Sequence, residues 1–209
     1  MRHAFSRPIC GRRELRKQDR RLAILEAARQ SFLENGYAGT SMSGLLKTLG
    51  GSKATLWSYF RSKEELFAAV IEHASVGFRA QFDQSLTVSD ALEPTLMEFC
   101  RRFLAAIQSP DAIATWRLVI AESGRFPELG RIFYERAAKI TEQLLSDFFS
   151  HHIAAGRLQG NPVEMTRMLI SLCAGRQTRL LWGIEQADGD AIERDAVEFS
   201  RLFLRSYGP

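Results

Sequence analysis

Three helix-start signals spread along the chain constrain its fold more than any other feature. Ser62-Lys63-Glu64-Glu65 is a capping box, with Ser62 at the cap and Glu65 three residues on. Ser109-Pro110 and Asn161-Pro162 each set a capping side chain before a proline at the first helical position. Between such signals apolar residues recur at three- and four-residue steps, as in Leu22, Leu25, Ala28, Phe32 and in Phe67, Ile71, Ala74, Phe78, Phe82. No segment alternates apolar and polar residues as a strand would, and no repeat of fixed period is present. The expected fold class is all-α, with about nine helices: an N-terminal helix-turn-helix three-helix domain and a larger helical domain.

The first helix is expected from about Glu14 to Asn35-Gly36, since Asn-Gly is a natural helix stop. Thr40 and Ser41 are placed to cap a short helix with the stripe Met42, Leu45, Leu46, Leu49, and Gly50-Gly51 ends it. Ser52 then caps a second short helix from Lys53 to about Tyr59. Two short helices on a glycine turn are the units of a helix-turn-helix. The capping box launches a long helix to about Gln84. Later helices are expected from Asp90 to Ile107, Pro110 to Glu122, Pro127 to Gly156, Pro162 to about Gln186, and from Asp188-Gly189 to near Tyr207.

Charge is unevenly placed. Residues 1–75 carry a net charge of about +6, while the rest sum to about −2, so the basic end is the one suited to a polyanion. The N-terminus, through Arg12, Arg13, Arg16, Lys17 and Arg20, has two readings: an arm following phosphates or entering a minor groove, and a solvated charged tail. It has no apolar h-region, and runs such as Phe67 to Ile71 are too short to cross a bilayer, so residence in the cytoplasm and no membrane partner are the default expectations.

In the segment GSKATLWSYF, Gly51 to Phe60, Leu56 and Phe60 are four apart and share the inward face of one helix. Lys53, Ala54, Thr55 and Ser58 fall on the outer side, with Trp57 and Tyr59 flanking. A face offering a lysine, a methyl, hydroxyls and no acid can lie in a major groove without repelling phosphates.

The run ILEAARQSFLENGYAGTSMSGLLKTLGGSKATLWSYFRSKEELFAAVIE, Ile24 to Glu72, resembles the DNA-binding domain of the TetR family of bacterial regulators. A second stretch, TWRLVIAESGRFPELGRIFYERA, Thr115 to Ala137, is similar to the C-terminal domain of its AefR-like branch. The resemblance implies a DNA-binding repressor acting as a homodimer on a double-stranded palindromic operator. It also implies domains at 1–13 (flexible basic arm), 14–62 (helix-turn-helix) and 63–209 (effector binding and dimerisation). Carried over by position, Thr40, Ser41 and Ser52 hold phosphates, Lys53, Ala54, Thr55 and Ser58 face base edges, Trp57 and Tyr59 anchor on the sugar-phosphate backbone, and Lys63 adds a phosphate contact.

This sequence departs from the family pattern twice. Trp57 replaces a tyrosine, leaving an indole that donates one hydrogen bond and accepts none. The turn Leu49-Gly50-Gly51-Ser52-Lys53 lacks the usual valine, so Gly51→Val is expected to be neutral or stabilising.

In the larger domain, Leu169, Leu172, Cys173, Arg176 and Leu180, with Val197, Phe199, Leu202 and Phe203, are more apolar than a terminal helical pair should expose, and form the expected dimer surface. Met97, Cys100, Phe103, Trp116, Ile120, Phe133, Tyr134 and Trp182 are candidates to line a cavity for a small, largely apolar or aromatic effector; each alone also reads as core. A DNA-binding dimer answering to a protein partner, or to no effector, is the alternative. No catalytic constellation, cofactor or metal set is found. His151 and His152 are adjacent and read as surface residues, and Gly50-Gly51-Ser52-Lys53 has the wrong order for a phosphate loop.

Overall fold

A computed structural model of the chain describes residues 11–50, 52–80, 86 and 91–209. Among them the regular elements are nine helices. In chain order these are α1 (Arg12–Gly39), α2 (Met42–Leu49), α3 (Lys53–Tyr59), α4 (Lys63–Ala80), α5 (Leu92–Ile107), α6 (Pro110–Ser123), α7 (127–154), α8 (Pro162–Leu181) and α9 (Gly189–Tyr207). α7 is an α-helix over Pro127–Phe133, a π-turn over Tyr134–Ala138 and an α-helix again over Lys139–Ala154. No helix among the described residues is long and apolar enough to cross a membrane.

Most expected starts recur because a cap is a local contact. Ser109 Oγ accepts from the Ala112 amide and Asn161 Oδ1 from the amides of Val163 and Glu164. α1 begins at Arg12, and Gly36 leaves helical geometry (φ 72°, ψ 170°), bending the chain where Asn35-Gly36 was expected to stop it. The tip of the expected long helix, Phe82 to Gln84, and the expected start at Ser89-Asp90 lie outside the described residues, as does Cys10. α8 ends at Leu181, short of Gln186, because Gly183 turns out of the helix at φ 72°, its amide donating to Leu180 O and the Ile184 amide to Arg179 O; Arg117 of α6 also caps the end, Nε donating to Leu181 O (2.9 Å) and Nη2 to Leu180 O (2.8 Å).

The chain divides into two compact units at Val70–Ile71, a boundary that falls inside α4 rather than at its start. In the first unit Ile24, Leu25, Ala28 and Phe32 of α1 meet Leu45 of α2, Leu56 of α3 and Leu66 and Phe67 of α4 in the core. Tyr37 stacks on Phe32 (5.7 Å), and Phe67 stands edge-on to both, at 5.3 and 5.6 Å. Full burial of such a ring contributes about 1.5–3 kcal/mol, so a few such contacts hold the short helices α2 and α3 in place.

The second unit is built on α5, α7, α8 and α9. Its core joins Phe99, Cys100 and Phe103 of α5 to Phe148 and Phe149 of α7, Leu169 and Cys173 of α8, and Phe199 and Phe203 of α9. Phe149 and Phe203 stack at 4.8 Å. The expected dimer surface is therefore corrected: Leu169, Cys173, Leu180, Phe199 and Phe203 are buried in the chain's own core, and Leu172 and Leu202 pack against it. Arg176 is exposed, but its Nε donates to Asp195 Oδ2 at 2.6 Å and so ties α8 to α9. His152 is likewise no surface residue. It is fully buried against the Phe148 ring (4.4 Å), and its Nδ1 accepts from Arg157 Nε at 2.9 Å.

Candidate nucleic-acid interface

With only seven residues, α3 cannot hold its own conformation, since helix nucleation is unfavourable and isolated short helices are marginal. Two anchors hold it: Leu56 and Phe60, 1% and 2% exposed, both turned into the first unit's core as their spacing predicts. A cap fixes its start, where Ser52 Oγ accepts from the Thr55 amide (3.1 Å) and pairs with Thr55 Oγ1 (2.9 Å). Ser41 does the same for α2, accepting from the Gly44 amide at 3.0 Å.

The turn before α3 depends on a residue that local pattern had put elsewhere. Gly50 closes α2 at φ 63°, a conformation suited to glycine, and its amide donates to Leu46 O. Arg20 of α1 then grips the turn: both terminal nitrogens donate to Leu49 O at 3.3 Å, and Nη2 also donates to Gly50 O at 2.6 Å. Arg20 is thus a clamp on the helix-turn-helix, not part of a free arm. Gly51, and with it the Gly51→Val expectation, lies outside the described residues, as do residues 1–10 and the side chains of Arg12 and Arg13.

Ser52, Lys53, Ala54, Thr55, Trp57 and Ser58 are all exposed, and Tyr59 is half-buried. Ser58 Oγ donates to Thr55 O (2.7 Å), and the Tyr59 hydroxyl donates to Lys17 O (3.4 Å). α3 contains no carboxylate, and the nearest acids in sequence are engaged. Glu65 Oε2 accepts from the Arg61 amide (2.7 Å) while the Glu65 amide donates to Ser62 Oγ, closing the capping box. Glu64 accepts from the Tyr37 hydroxyl at 3.1 Å. Its carboxyl is held below its ordinary range first by its own backbone amide, then by Ser62. The outer face of α3 therefore offers donors, a methyl and an indole to an approaching polyanion.

Two residues assigned to phosphates are turned to internal work. Thr40 is 2% exposed; its Oγ1 donates to Gly36 O (2.9 Å) and pairs with Ser31 Oγ, and its amide also bonds Gly36 O. It stabilises the bend after α1 and has no donor left for a phosphate. Lys63 Nζ donates to Tyr37 O (2.8 Å) and lies 4.2 Å from the Tyr37 ring centroid, fastening α4 to the end of α1.

The candidate effector residues do not gather round one cavity. Cys100 and Phe103 belong to the core, where Cys100 hydrogen-bonds Cys173; that bond, then burial, pushes the Cys173 thiol well up. Met97, Ile120, Tyr134 and Trp182 are exposed. Trp116 and Phe133 do meet, ring to ring at 4.7 Å, half-buried between α6 and α7.

A capped reading helix with an acid-free face, set on a glycine turn within a three-helix unit, defines a helix-turn-helix DNA-binding protein. Residues 24–70 match the model of the bacterial regulatory proteins of the tetR family, and residues 94–209 match the AefR-like transcriptional repressor C-terminal domain. The chain belongs to the TetR family, as a DNA-binding transcriptional repressor, and this is a non-enzymatic class. Among its relatives, the transcriptional repressor AcnR of Corynebacterium diphtheriae is 29% identical over 87% of this chain and 90% of its own. The solved structure of the flavonoid-responsive regulator FrrA is 33% identical, covering 92% of this chain and 98% of its own with a TM-score of 0.78. A TetR-family regulator from Mesorhizobium loti is 26% identical, covering 93% and 99%, also with a TM-score of 0.78.

Proposed function

We propose that this repressor binds a palindromic operator as a homodimer and is released from it by a small, largely apolar or aromatic effector. The observation that carries the reading is the outer face of α3. Lys53, Ala54, Thr55 and Ser58 reach base edges, while Trp57 through its indole N–H and Tyr59, whose hydroxyl exchanges its long 3.4 Å bond to Lys17 O for a phosphate oxygen, hold the backbone. Ser41 and Ser52 stand against phosphates at the starts of α2 and α3.

The dimer reading is supported by the exposed row on α9, which differs from the residues first assigned to it. Glu193 and Glu198 lie in its N-terminal part and Arg201 and Arg205 in its C-terminal part, around half-buried Val197. Two residues of the row also pair within the chain, Arg194 with Asp188 at 3.7 Å and Glu193 with Arg101 of α5 at 3.9 Å, so the pattern for a partner rests on Glu198, Arg201 and Arg205. An antiparallel copy across a twofold axis sets the acidic half of each helix against the basic half of the other. Such a dimer presents two reading helices to half-sites about 34–36 Å apart.

The effector class is supported by the Trp116–Phe133 pair and by the likeness to FrrA, a protein named for its response to flavonoids. Effector binding shifts a two-state equilibrium through α4, the helix that runs on into the DNA-binding unit. Footprinting on the DNA upstream of the repressor's own gene, with and without a panel of flavonoids, tests this. Two protected half-sites lost on adding a flavonoid are expected; protection unchanged by every compound would replace this reading with a repressor that answers to a protein partner or to no effector.

A further inference from the structure

A hollow of about 400 Å³ opens in the second unit beside the C-terminal half of α4 and the π-turn of α7. Glu72 and Arg79, two turns apart on one side of α4, face Glu135, Arg136, Lys139 and Ile140 of α7. A π-turn adds one residue to a helical turn, and such turns gather at functional sites. Here the widened turn contains Glu135 and Arg136 and carries both outward on an exposed stretch.

Charge in the hollow is only partly matched. Arg136 Nη1 reaches Glu72 Oε2 at 3.4 Å, with both side chains 51% exposed, and this one ion pair links α4 to the π-turn. Among the described residues Arg79 and Lys139 have no ion-pair partner. Glu142, one turn beyond Lys139, is taken by the Tyr134 hydroxyl, which donates to its Oε2 at 3.0 Å. Three cations thus surround a space whose acids are Glu72, engaged with Arg136, and Glu135. The volume lies within the roughly 300–1,000 Å³ range of small-molecule sites and is large for an inorganic ion alone. Ile140 gives one wall an apolar surface.

We propose that this hollow binds a small organic carboxylate, with Arg136 exchanging Glu72 for the ligand and so unlatching α4 from the π-turn. A guanidinium donates to a carboxylate in two-pronged geometry, which the single 3.4 Å contact to Glu72 does not use. Lys139 and Arg79 bring the hollow to three cations against the two acids Glu72 and Glu135, an excess of one positive charge. An exposed ion pair is worth little, so a ligand meeting three cations displaces it readily. The proposal rests on the effector-responsive repressor reading and adds an acid to the effector's chemistry, its body meeting Ile140 in the hollow.

The test titrates the full-length protein calorimetrically with a panel of aromatic carboxylates, benzoate first, each beside its neutral amide, benzamide for benzoate. At least one carboxylate is expected to bind tenfold or more above its amide. Arg136→Gln should weaken that binding at least tenfold with an unchanged melting curve. Glu72→Gln should strengthen it about two- to fivefold by removing the internal competitor, and should weaken operator binding without ligand by a similar factor. Acids and amides binding alike, Arg136→Gln keeping full affinity, or no acid binding even to Glu72→Gln would each overturn the proposal. Operator binding released by a neutral aromatic compound, with no carboxylate bound, would defeat this inference and leave the repressor reading intact; no operator binding at all would defeat that reading.

Discussion

Two helices of this repressor, α3 and α9, bury one side each and differ in what the other side carries. α3 turns Leu56 inward and shows water Lys53, Ala54, Thr55 and Ser58, with no acid. α9 turns Ala196, Phe199 and Phe203 inward and shows Glu193, Glu198, Arg201 and Arg205. A face proposed to lie against phosphates gains by lacking carboxylates, whereas one proposed to meet its own copy can use both signs, arranged so that each half answers the other.

The largest effect separates the buried side of α9 from its outer row. Phe203→Ala should lower stability by about 3–5 kcal/mol, because the ring is fully buried against Phe149. Urea unfolding of dilute protein measures it. A loss that vanished on dilution would return Phe203 to a dimer contact. On α3, Thr55→Asp should reduce operator affinity about a hundredfold while leaving helix content and melting temperature intact, since an acid in the first turn suits a helix start but not a phosphate. Fluorescence anisotropy with operator DNA reads this; an unchanged affinity would remove α3 from the interface. Arg201→Glu should weaken dimerisation about tenfold, seen by sedimentation, without altering monomer stability, and the double change with Glu198→Arg should restore it.

The smallest effect concerns a cluster on α5 that touches the α9 row through the 3.9 Å contact of Arg101 with Glu193. Glu98 accepts from Arg101 at 2.6 Å and is also bonded by Arg102; these partners, Arg101 first, bring its carboxyl down to about 2 from an ordinary 4.5. A lowered folded-state value means that the stabilisation is fully present above about pH 4.5 and is lost as pH falls through about 2. Glu98→Gln should therefore cost under about 1 kcal/mol at neutral pH, the carboxylate being partly exposed, and the difference from wild type should shrink between those pH values. A difference independent of pH would mean that the arginines do not hold Glu98 as drawn.

Helix starts were legible in the chain because a cap joins residues two or three apart: Ser41, Ser52, Ser62, Ser109 and Asn161 all cap as their spacing predicts. The inward and outward sides of α3 were legible for the same reason. Contacts from distant residues were not, as at the end of α8, where Gly183 makes the local stop but Arg117 reaches from another helix to cap the last carbonyls. The π-turn left no mark in the periodicity, since one extra residue in a turn does not disturb a stripe that short.

Sequence alone determined that this protein is all-helical, that its basic end carries a helix-turn-helix and that α3 presents an acid-free face, because each follows from contacts within a turn or two of chain. Only the tertiary structure decided whom the ambiguous side chains serve. A hydroxyl at Thr40, an ammonium at Lys63 and a guanidinium at Arg20 bond a phosphate and a backbone carbonyl equally well, and all three are found on carbonyls. An apolar stripe says that a face is covered, not by what; the rings of Phe199 and Phe203 are covered by their own chain.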